Sequence, residues 1–330
     1  MTQTMRAILA RAPGGPEVMT LEQVPLPQPG RGEVRVRVAA SGLNRGDLVQ
    51  RLGKYPAPPG WPPHILGLEF AGTVDALGEG AEAKIGDRVM GLVGGGGYAE
   101  AVVVHARELV PVPAGMSLQD AGAVPEVFLT AFDALFQQME LVLGETLLIH
   151  AVGSGVGSAA LQLALAAGAR VIGTSRTPDK LTRAAELGLE HGIVAGEGDW
   201  AKEVLAATGG RGADVILDLV GAPYLAGNTK AIATSGRMIV VGVTGGPKSE
   251  LDLRALMSKR ASITGTVLRS RPIEEKIALA RAFADQVVPL FEAGRLEPVV
   301  DAFFRPENVA DAHRRLEASD TFGKLVLLWE

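Results

Sequence analysis

The stretch "IHAVGSGVGSAALQLALAAGA", residues 149–169, sets Gly153, Gly155 and Gly157 between an apolar run and an alanine-rich segment. That is where a chain can hold a dinucleotide. The first backbone N–H groups of a helix lack intrahelical partners and point at an anion, and glycine lets the main chain come close to a diphosphate. Ser154 can add a hydroxyl and an N–H at the same place. The spacing is G-x-G-x-G: Ser158 stands where the common fingerprint wants its third glycine, and the acid expected about twenty residues on is missing. A tight structural turn is the alternative, but the strand, turn, helix and second strand around it favour a nucleotide.

Which nucleotide depends on "RVIGTSRTPDKL". An NAD site places an acid at the end of this strand to bind the ribose hydroxyls, and an acid would repel a 2′-phosphate. Here Ser175 and Arg176 stand there, with Lys180 one turn on, and Asp179 lies beyond the strand. A hydroxyl with two cations suits a phosphate, which points to NADPH over a solvated basic helix start. No cysteine is present, which excludes disulfides, thiolate metal sites and a cysteine nucleophile. Five scattered histidines show no H-x-x-x-H or H-E-x-x-H spacing, so no metal is expected. His150 closes an apolar run and reads as a satisfied core residue. Net charge is −5 and aromatics are 5%, which argues against nucleic acid as a partner. No apolar run of about 18 residues and no signal-peptide core are found, so no membrane is expected and the location reads as cytoplasmic.

The elements that must place these residues differ along the 330-residue chain, which is long enough for two domains. Residues 1–120 are β-rich. "GEVRVRVAAS" alternates Val34, Val36 and Val38 with Arg35 and Arg37, the period of a half-buried strand. "RAILA", "EFAGTVDALG", "DRVMGLV" and "YAEAVVVHARELVPVP" are further strands, and the proline clusters 24–30 and 55–63 are rigid connections. The "GGGG" at 94–97 reads as a hairpin or flexible loop, since no helix pattern follows it. From about residue 120, "TLLIHA", "RVIGTS", "GIVA", "DVILDLV" and "GRMIVVG" read as strands buried on both faces. Helical patterns over 156–167, 178–187, 200–207 and 224–233 alternate with them, which predicts a doubly wound parallel sheet. Two helical segments, beginning at "IEEKIALARAFADQVVPLFEAG" and at "ENVADAHRRLEAS", and a closing strand "GKLVLLWE" complete the chain.

Several stretches together resemble one family: "SGLNRGDLVQRLGKYPAPPG", "ILGLEFAGTV", "GDRVMGL", "PEVFLTAFDAL", "LIHAVGSGVGSAALQLA", "VLRSR" and "FGKLVLLW". The resemblance, over nearly the whole length, is to the zinc-independent quinone oxidoreductase branch of the medium-chain dehydrogenase/reductase superfamily, in which the turn reads A-x-x-x-G-V-G, as Ala151 to Gly157 does. It implies an α/β fold, a Rossmann-type domain (123–272) inserted in a β-rich GroES-like catalytic domain (1–122 plus 273–330), with the substrate cleft between them. The points that carry zinc ligands in metal-using relatives are Asn44, Leu68 and Glu126 here, and Asn and Leu cannot rebuild a zinc site.

By the same resemblance, Asn44 and Tyr55 orient the substrate, Asn44 also touching the cofactor. Thr130 opens a helix on the cofactor side. Ser154, Gly155 and Val156 hold the diphosphate, and Thr174, Ser175, Arg176 and Lys180 surround the 2′-phosphate. Gly242 and Val243 pack on the nicotinamide, Leu268, Arg269 and Ser270 meet its carboxamide side, and Lys324 sits near the phosphates. Ala195 stands where many relatives carry a tyrosine at the adenosine end. The local alternatives are plain: Asn44 as a helix cap, Tyr55 packed on its proline-rich loop, Asp47 and Glu69 paired with Arg45 or Arg51, and Arg269 with Arg271 as solvated surface. The expected activity is hydride transfer from NADPH to a quinone-like small-molecule acceptor by a homodimer that pairs through "ASITGTVL". No acid or base residue is obligate. Reduction of an activated C=C bond is the enzymatic alternative, and a low-turnover NADPH-binding or RNA-binding protein is the alternative outside catalysis.

Overall fold

The computed structural model describes residues 3–196 and 198–329. Its contacts divide the chain into a split unit, formed by the residues up to Leu129 with those from Leu268 on, and an inserted unit, Thr130–Val267. The inserted unit thus starts later and ends earlier than the expected 123–272. No helix among the described residues is long and apolar enough to cross a membrane.

In the split unit the strand Glu33–Gly42 is the hub. It pairs antiparallel with Glu69–Leu77, Ala101–His105 and Lys324–Leu328. The alternation read in the sequence is what allows this: Val34, Val36 and Val38 are buried, while Arg35 turns outward to Asp75 at 2.8 Å. Arg88–Leu92 and the short Val110–Pro111 extend the sheet on one side, and Val300–Phe304 on the other. Val300–Phe304 runs parallel to Lys324–Leu328, joined by the helix Val309–Ala318. A two-stranded ribbon, Thr4–Ala10 with Met19–Pro25, is separate, and its terminal Pro25 sits where a missing N–H is harmless. "YAEAVVVHARELVPVP" does not form one strand: a 3-10 turn, Ala106–Glu108, interrupts it. The expected helix 273–294 breaks into Ile273–Gln286 and Val288–Glu292, because Pro289 has no N–H for the helical ladder.

The inserted unit is one parallel sheet of six strands. They are Thr146–Ile149, Arg170–Ser175, His191–Val194, Ala213–Asp218, Ile232–Val240 and Ser262–Gly265. Across the sheet the third strand lies at one edge, followed by the second, first, fourth, fifth and sixth. Connections therefore reverse direction between the first and fourth strands, and in such sheets the crevice outside the strand ends at that reversal receives ligands. Leu147, Leu148, Ile149, Val215, Ile216 and Leu217 are fully buried, as the unalternating runs require. The helices Gly155–Ala166, Pro178–Glu186, Trp200–Ala207 and Leu225–Ala231 fill the expected positions, with Pro178 in the first turn of its helix, where its missing N–H costs nothing. A seven-residue helix, Leu253–Lys259, has no counterpart in the sequence reading; Asp252 caps it through Ala255 N–H at 3.0 Å.

Candidate active site

In the inserted unit the turn after Thr146–Ile149 is shaped by its backbone. Ala151 takes a left-handed φ of 51°, and Val152 N–H donates to Thr174 O at 2.9 Å, tying the turn to the neighbouring strand. Ser154 caps the helix: its Oγ accepts from Gly157 N–H at 3.1 Å. Gly157 has no substitute there, since a Cβ would lie 2.4 Å from Ala151 O and 2.8 Å from Val152 Cα. The close approach of helix to strand that the fingerprint secures with a glycine is secured here by Gly157. Ser158 is buried and gives its hydroxyl to Gly155 O at 3.1 Å. Ser154, Gly155 and Val156 remain partly exposed at the helix start. Ser154 N–H is taken by Ala151 O at 2.9 Å, so the Gly155 and Val156 N–H groups and the Ser154 hydroxyl are what can receive an anion.

The residues expected around a 2′-phosphate separate into two sets. Ser175 ends its strand, almost buried, with Oγ accepting from Thr177 N–H at 3.2 Å; Arg176 is exposed and Lys180 partly so. Thr174 is fully buried and points the other way, into a hydrogen-bonded chain. Asp218 Oδ1 accepts from Val220 and Gly221 N–H at 2.7 and 2.9 Å, and its Oδ2 from Asn228 Nδ2 at 3.0 Å. An ionised carboxylate only accepts, so Asn228 Oδ1 must face His150, 2.6 Å from Nε2. His150 then donates from Nε2 and accepts Thr174 Oγ1–H at Nδ1, 2.9 Å away. Burial pushes His150 below its ordinary value, consistent with this neutral tautomer. The chain ties together the carboxyl ends of the first, second and fourth strands directly beneath the glycine turn.

Gly242 and Val243 follow the fifth strand, Val243 with 48% of its surface exposed, an apolar side chain left open at the strand ends. Thr130 does not open a helix; it lies within Pro125–Phe132, almost buried. Ala195 is buried, but an aromatic ring does reach this side of the sheet. Tyr224 packs edge-on to His150 at 4.7 Å and beside Trp200 at 5.3 Å, and burial raises its phenol, with Arg176 opposing. Asp218, Asn228 and Tyr224 escaped the sequence reading, whose only available signal was the position of Asp218 at a strand end.

In the split unit Asn44, Asp47, Glu69 and Lys324 form a buried polar cluster. Lys324 Nζ donates to Leu43 O, Asn44 Oδ1 and Glu69 Oε1 at 2.6, 2.6 and 2.7 Å. All three ammonium hydrogens are engaged, which leaves none for a phosphate and corrects that expectation. Asn44 Nδ2 donates to Glu69 Oε1 at 2.7 Å, so its side chain positions the cluster and is 8% exposed. The helix Arg45–Arg51 is held at its start by Asp47, which accepts from Asn44 N–H at 2.8 Å. Asp47 also accepts from Gly67 N–H and Tyr98 Oη, at 3.1 and 3.0 Å. Neither Asp47 nor Glu69 shows an ion pair with Arg45 or Arg51; Arg51 pairs instead with Glu317. Burial raises Asp47 to about 6.

Arg269 is not solvated surface. Its guanidinium stacks 4.6 Å from the Tyr55 ring and donates to Gly94 O, Tyr55 O and Gln50 Oε1, at 2.5 to 3.0 Å. It clamps the proline-rich loop and the glycine run, whose four residues are buried and fixed by Gly96 N–H to Ile65 O and Gly97 N–H to Gly67 O, so that stretch is not a loose loop. Gln50 Nε2 stays buried without a partner beside it. Leu268 is buried and Ser270 exposed. A small pocket opens against Leu68, Val93, Gly94, Glu126, Leu268 and Arg269. Tyr55, partly exposed on the other side of the clamp, has its phenol raised by burial, against Arg269.

Two family models match: the alcohol dehydrogenase GroES-like domain over residues 30–114 and the zinc-binding dehydrogenase over 155–285. The quinone oxidoreductase of Pseudomonas aeruginosa is 36% identical over 321 residues, covering 96% of this chain and 97% of its own. The chain belongs to the quinone oxidoreductase branch of the medium-chain dehydrogenase/reductase superfamily. It is an oxidoreductase of the nicotinamide-dependent kind. Among solved structures, a quinone oxidoreductase of Pseudomonas syringae is similar at 33% identity and TM-score 0.89, covering 98% and 99% of the two chains. A structure described as an NAD-dependent alcohol dehydrogenase is similar at 37% identity and TM-score 0.89, covering 99% and 100%. The residues fit a nicotinamide cofactor: an open helix start, a glycine whose Cβ position is occupied, and an exposed valine at the strand ends. They do not fit zinc. Leu68 has no ligand atom, Asn44 is committed to Lys324 and Glu69, and no group of three His, Asp or Glu suited to a metal occurs among the described residues.

Proposed function

We propose that this quinone oxidoreductase family member transfers a hydride from NADPH to a quinone or a similar electron-poor acceptor, without a metal. When bound, the reduced nicotinamide supplies the hydride. The protein's part is to hold and align. Ser154, Gly155 and Val156 would bind the diphosphate at the helix start, and Gly242 and Val243 would pack on the nicotinamide. Leu268, Arg269 and Ser270 would bound the acceptor's surroundings in the split unit, where Asn44, through its hold on Lys324 and Glu69, and Tyr55 keep the pocket's shape.

The observation that carries NADPH over NADH is the end of the strand Arg170–Ser175. Ser175 and the exposed Arg176 follow it, with Lys180 a turn away and no acid at the strand end. Tyr224 adds a ring close enough for Arg176 to influence. Thr174 is left out of this set because its hydroxyl serves His150. The reading includes a small-molecule acceptor and a homodimer. The dimer is supported by the edge position of Ser262–Gly265, whose Ile263 is 36% exposed, with Met257 of the preceding helix 75% exposed. A cytoplasmic location is in keeping with a chain that has no cysteine. The test is a panel of quinones and enones run with NADPH and NADH side by side. Quinone-dependent NADPH oxidation that exceeds both the NADH rate and the enone rate is expected. Enone reduction with a saturated product as the faster reaction, or no turnover of any acceptor, would refute the reading.

A further inference from the structure

Three carboxyl groups, Asp47, Glu69 and Glu126, face a single ammonium in the split unit, and that ammonium is used up. Lys324 pairs with Glu69 at 2.7 Å and gives its other hydrogens to Leu43 O and Asn44 Oδ1. Glu69 is doubly bound: its other oxygen accepts the main-chain N–H of Glu126 at 2.8 Å. The Glu126 main chain is thus fixed beside a carboxyl group that already has its cation. The nearest other cation, Arg269, is committed to two carbonyls and Gln50. Lys276, which also lines the pocket, is paired with Glu108 at 2.8 Å. Glu126 itself is partly exposed and forms part of the pocket wall, among the apolar side chains of Leu68, Leu92, Val93 and Leu268.

Building on the hydride-transfer reading above, we propose that Glu126 is the acid that hydrogen-bonds the acceptor's oxygen in this pocket and delivers the proton that completes its reduction. The site would then favour acceptors with a carbonyl oxygen that becomes basic as the hydride arrives, quinones above all. Atoms and charges balance. The acceptor takes one hydrogen with its electron pair from the coenzyme, which is oxidised; the Glu126 O–H bond breaks and its proton goes to the reduced acceptor's oxygen; the carboxylate then regains a proton from solvent. Burial, with Glu69 and Asp47 pushing the same way and Lys324 and Arg269 opposing, raises the Glu126 carboxyl to about 8. At neutral pH it is an uncharged donor near the value at which proton transfer is most efficient. Tyr55, the other candidate donor nearby, is pushed upward from an already high value and is a poorer match.

Glu126→Gln keeps a hydrogen-bond donor of the same size but removes the transferable proton. The expected result is a kcat lower by about a hundredfold or more, with KM for the acceptor and affinity for NADPH little changed. In the wild type, kcat/KM should fall as pH rises through about 8, because the acid must be protonated; in the variant that limb should vanish. A readout without turnover is infrared spectroscopy of the protein alone: a protonated-carboxyl band that bleaches through the same pH range and is missing from Glu126→Gln. An unchanged kcat and pH profile in a folded variant, or no such band in the wild type, overturns the proposal. If the variant does not fold, the wild-type pH profile and infrared band decide it. Failure of the wild type to reduce any acceptor would strike the hydride-transfer reading, whereas the infrared band judges Glu126 independently.

Discussion

Each unit buries one histidine completely, and the two are fixed in the same way. In the split unit the order is Asp47, Tyr98, His313, Arg51; in the inserted unit it is Asp218, Asn228, His150, Thr174. In both a buried aspartate that only accepts sets the direction of every following bond. Tyr98 donates to Asp47, so it accepts His313 Nε2–H at 3.3 Å, and His313 Nδ1 accepts from Arg51 at 3.0 Å. The difference lies at the far end. The inserted chain ends on a hydroxyl, with Asp218 balanced by backbone N–H groups. The split chain ends on a cation and adjoins the Lys324–Glu69 pair. One region is held by directional bonds from uncharged donors that shape a backbone cradle, the other by paired charges whose removal leaves partners stranded in a dry interior. The first suits a site that grips a ligand by its main chain, and the second a pocket whose carboxyl groups are tuned by their neighbours.

The contrast can be broken most forcefully at Lys324. Lys324→Met leaves the fully buried Glu69 carboxylate without its cation, and a loss of about 3–5 kcal/mol in urea unfolding is expected. A variant that unfolds normally but binds NADPH weakly would return Lys324 to the phosphates. Asn228→Leu strips partners from both Asp218 and His150 and should cost about 2–3 kcal/mol by the same measurement; a cost equal to that of Lys324→Met would erase the distinction between the two regions. Gly157→Ala forces a methyl group onto the Ala151 carbonyl, with an expected loss of about 1–3 kcal/mol and weaker NADPH binding in calorimetry.

The pH dependence sharpens the same comparison. Burial, aided by Arg51, drops His313 to about 3. Its folded value lies below its unfolded one, so the stability it supports is present above about 6.5 and is lost as pH falls toward 3. Asp47, raised to about 6, acts oppositely: its contribution is present at low pH and is lost as pH rises through 6. His313→Gln should therefore flatten the acid side of the stability profile measured by denaturant titration between pH 6.5 and 4, and an unchanged slope would contradict the neutral histidine.

How much of this could be read in the sequence follows from distance along the chain. The glycine turn, Pro178 in its helix's first turn, and the alternation of Val34, Val36 and Val38 are local signals, and the strands and helices built on them stand as expected. Pro289 is an equally local signal, but it sits inside an otherwise helical pattern that masks the break. The charged cluster was out of reach, because Lys324 meets residues 280 and 255 positions away and Arg269 meets Gln50 at a separation of 219. Spacing cannot reveal such pairs; the family resemblance found the residues but not their partners. Thr174 shows the opposite failure: it stands two residues from the exposed Arg176, yet its own hydroxyl is buried against His150.

The central claim is that the helix start after Ala151 and the basic end of the second parallel strand together hold a phosphorylated dinucleotide. Calorimetric titration of the protein with NADPH and with NADH tests it directly. Stoichiometric NADPH uptake at least tenfold tighter than that of NADH, with the advantage lost in Arg176→Ala, is the expected result, about 1.4 kcal/mol of discrimination. Equal or tighter uptake of NADH, or no uptake of either, would contradict the account.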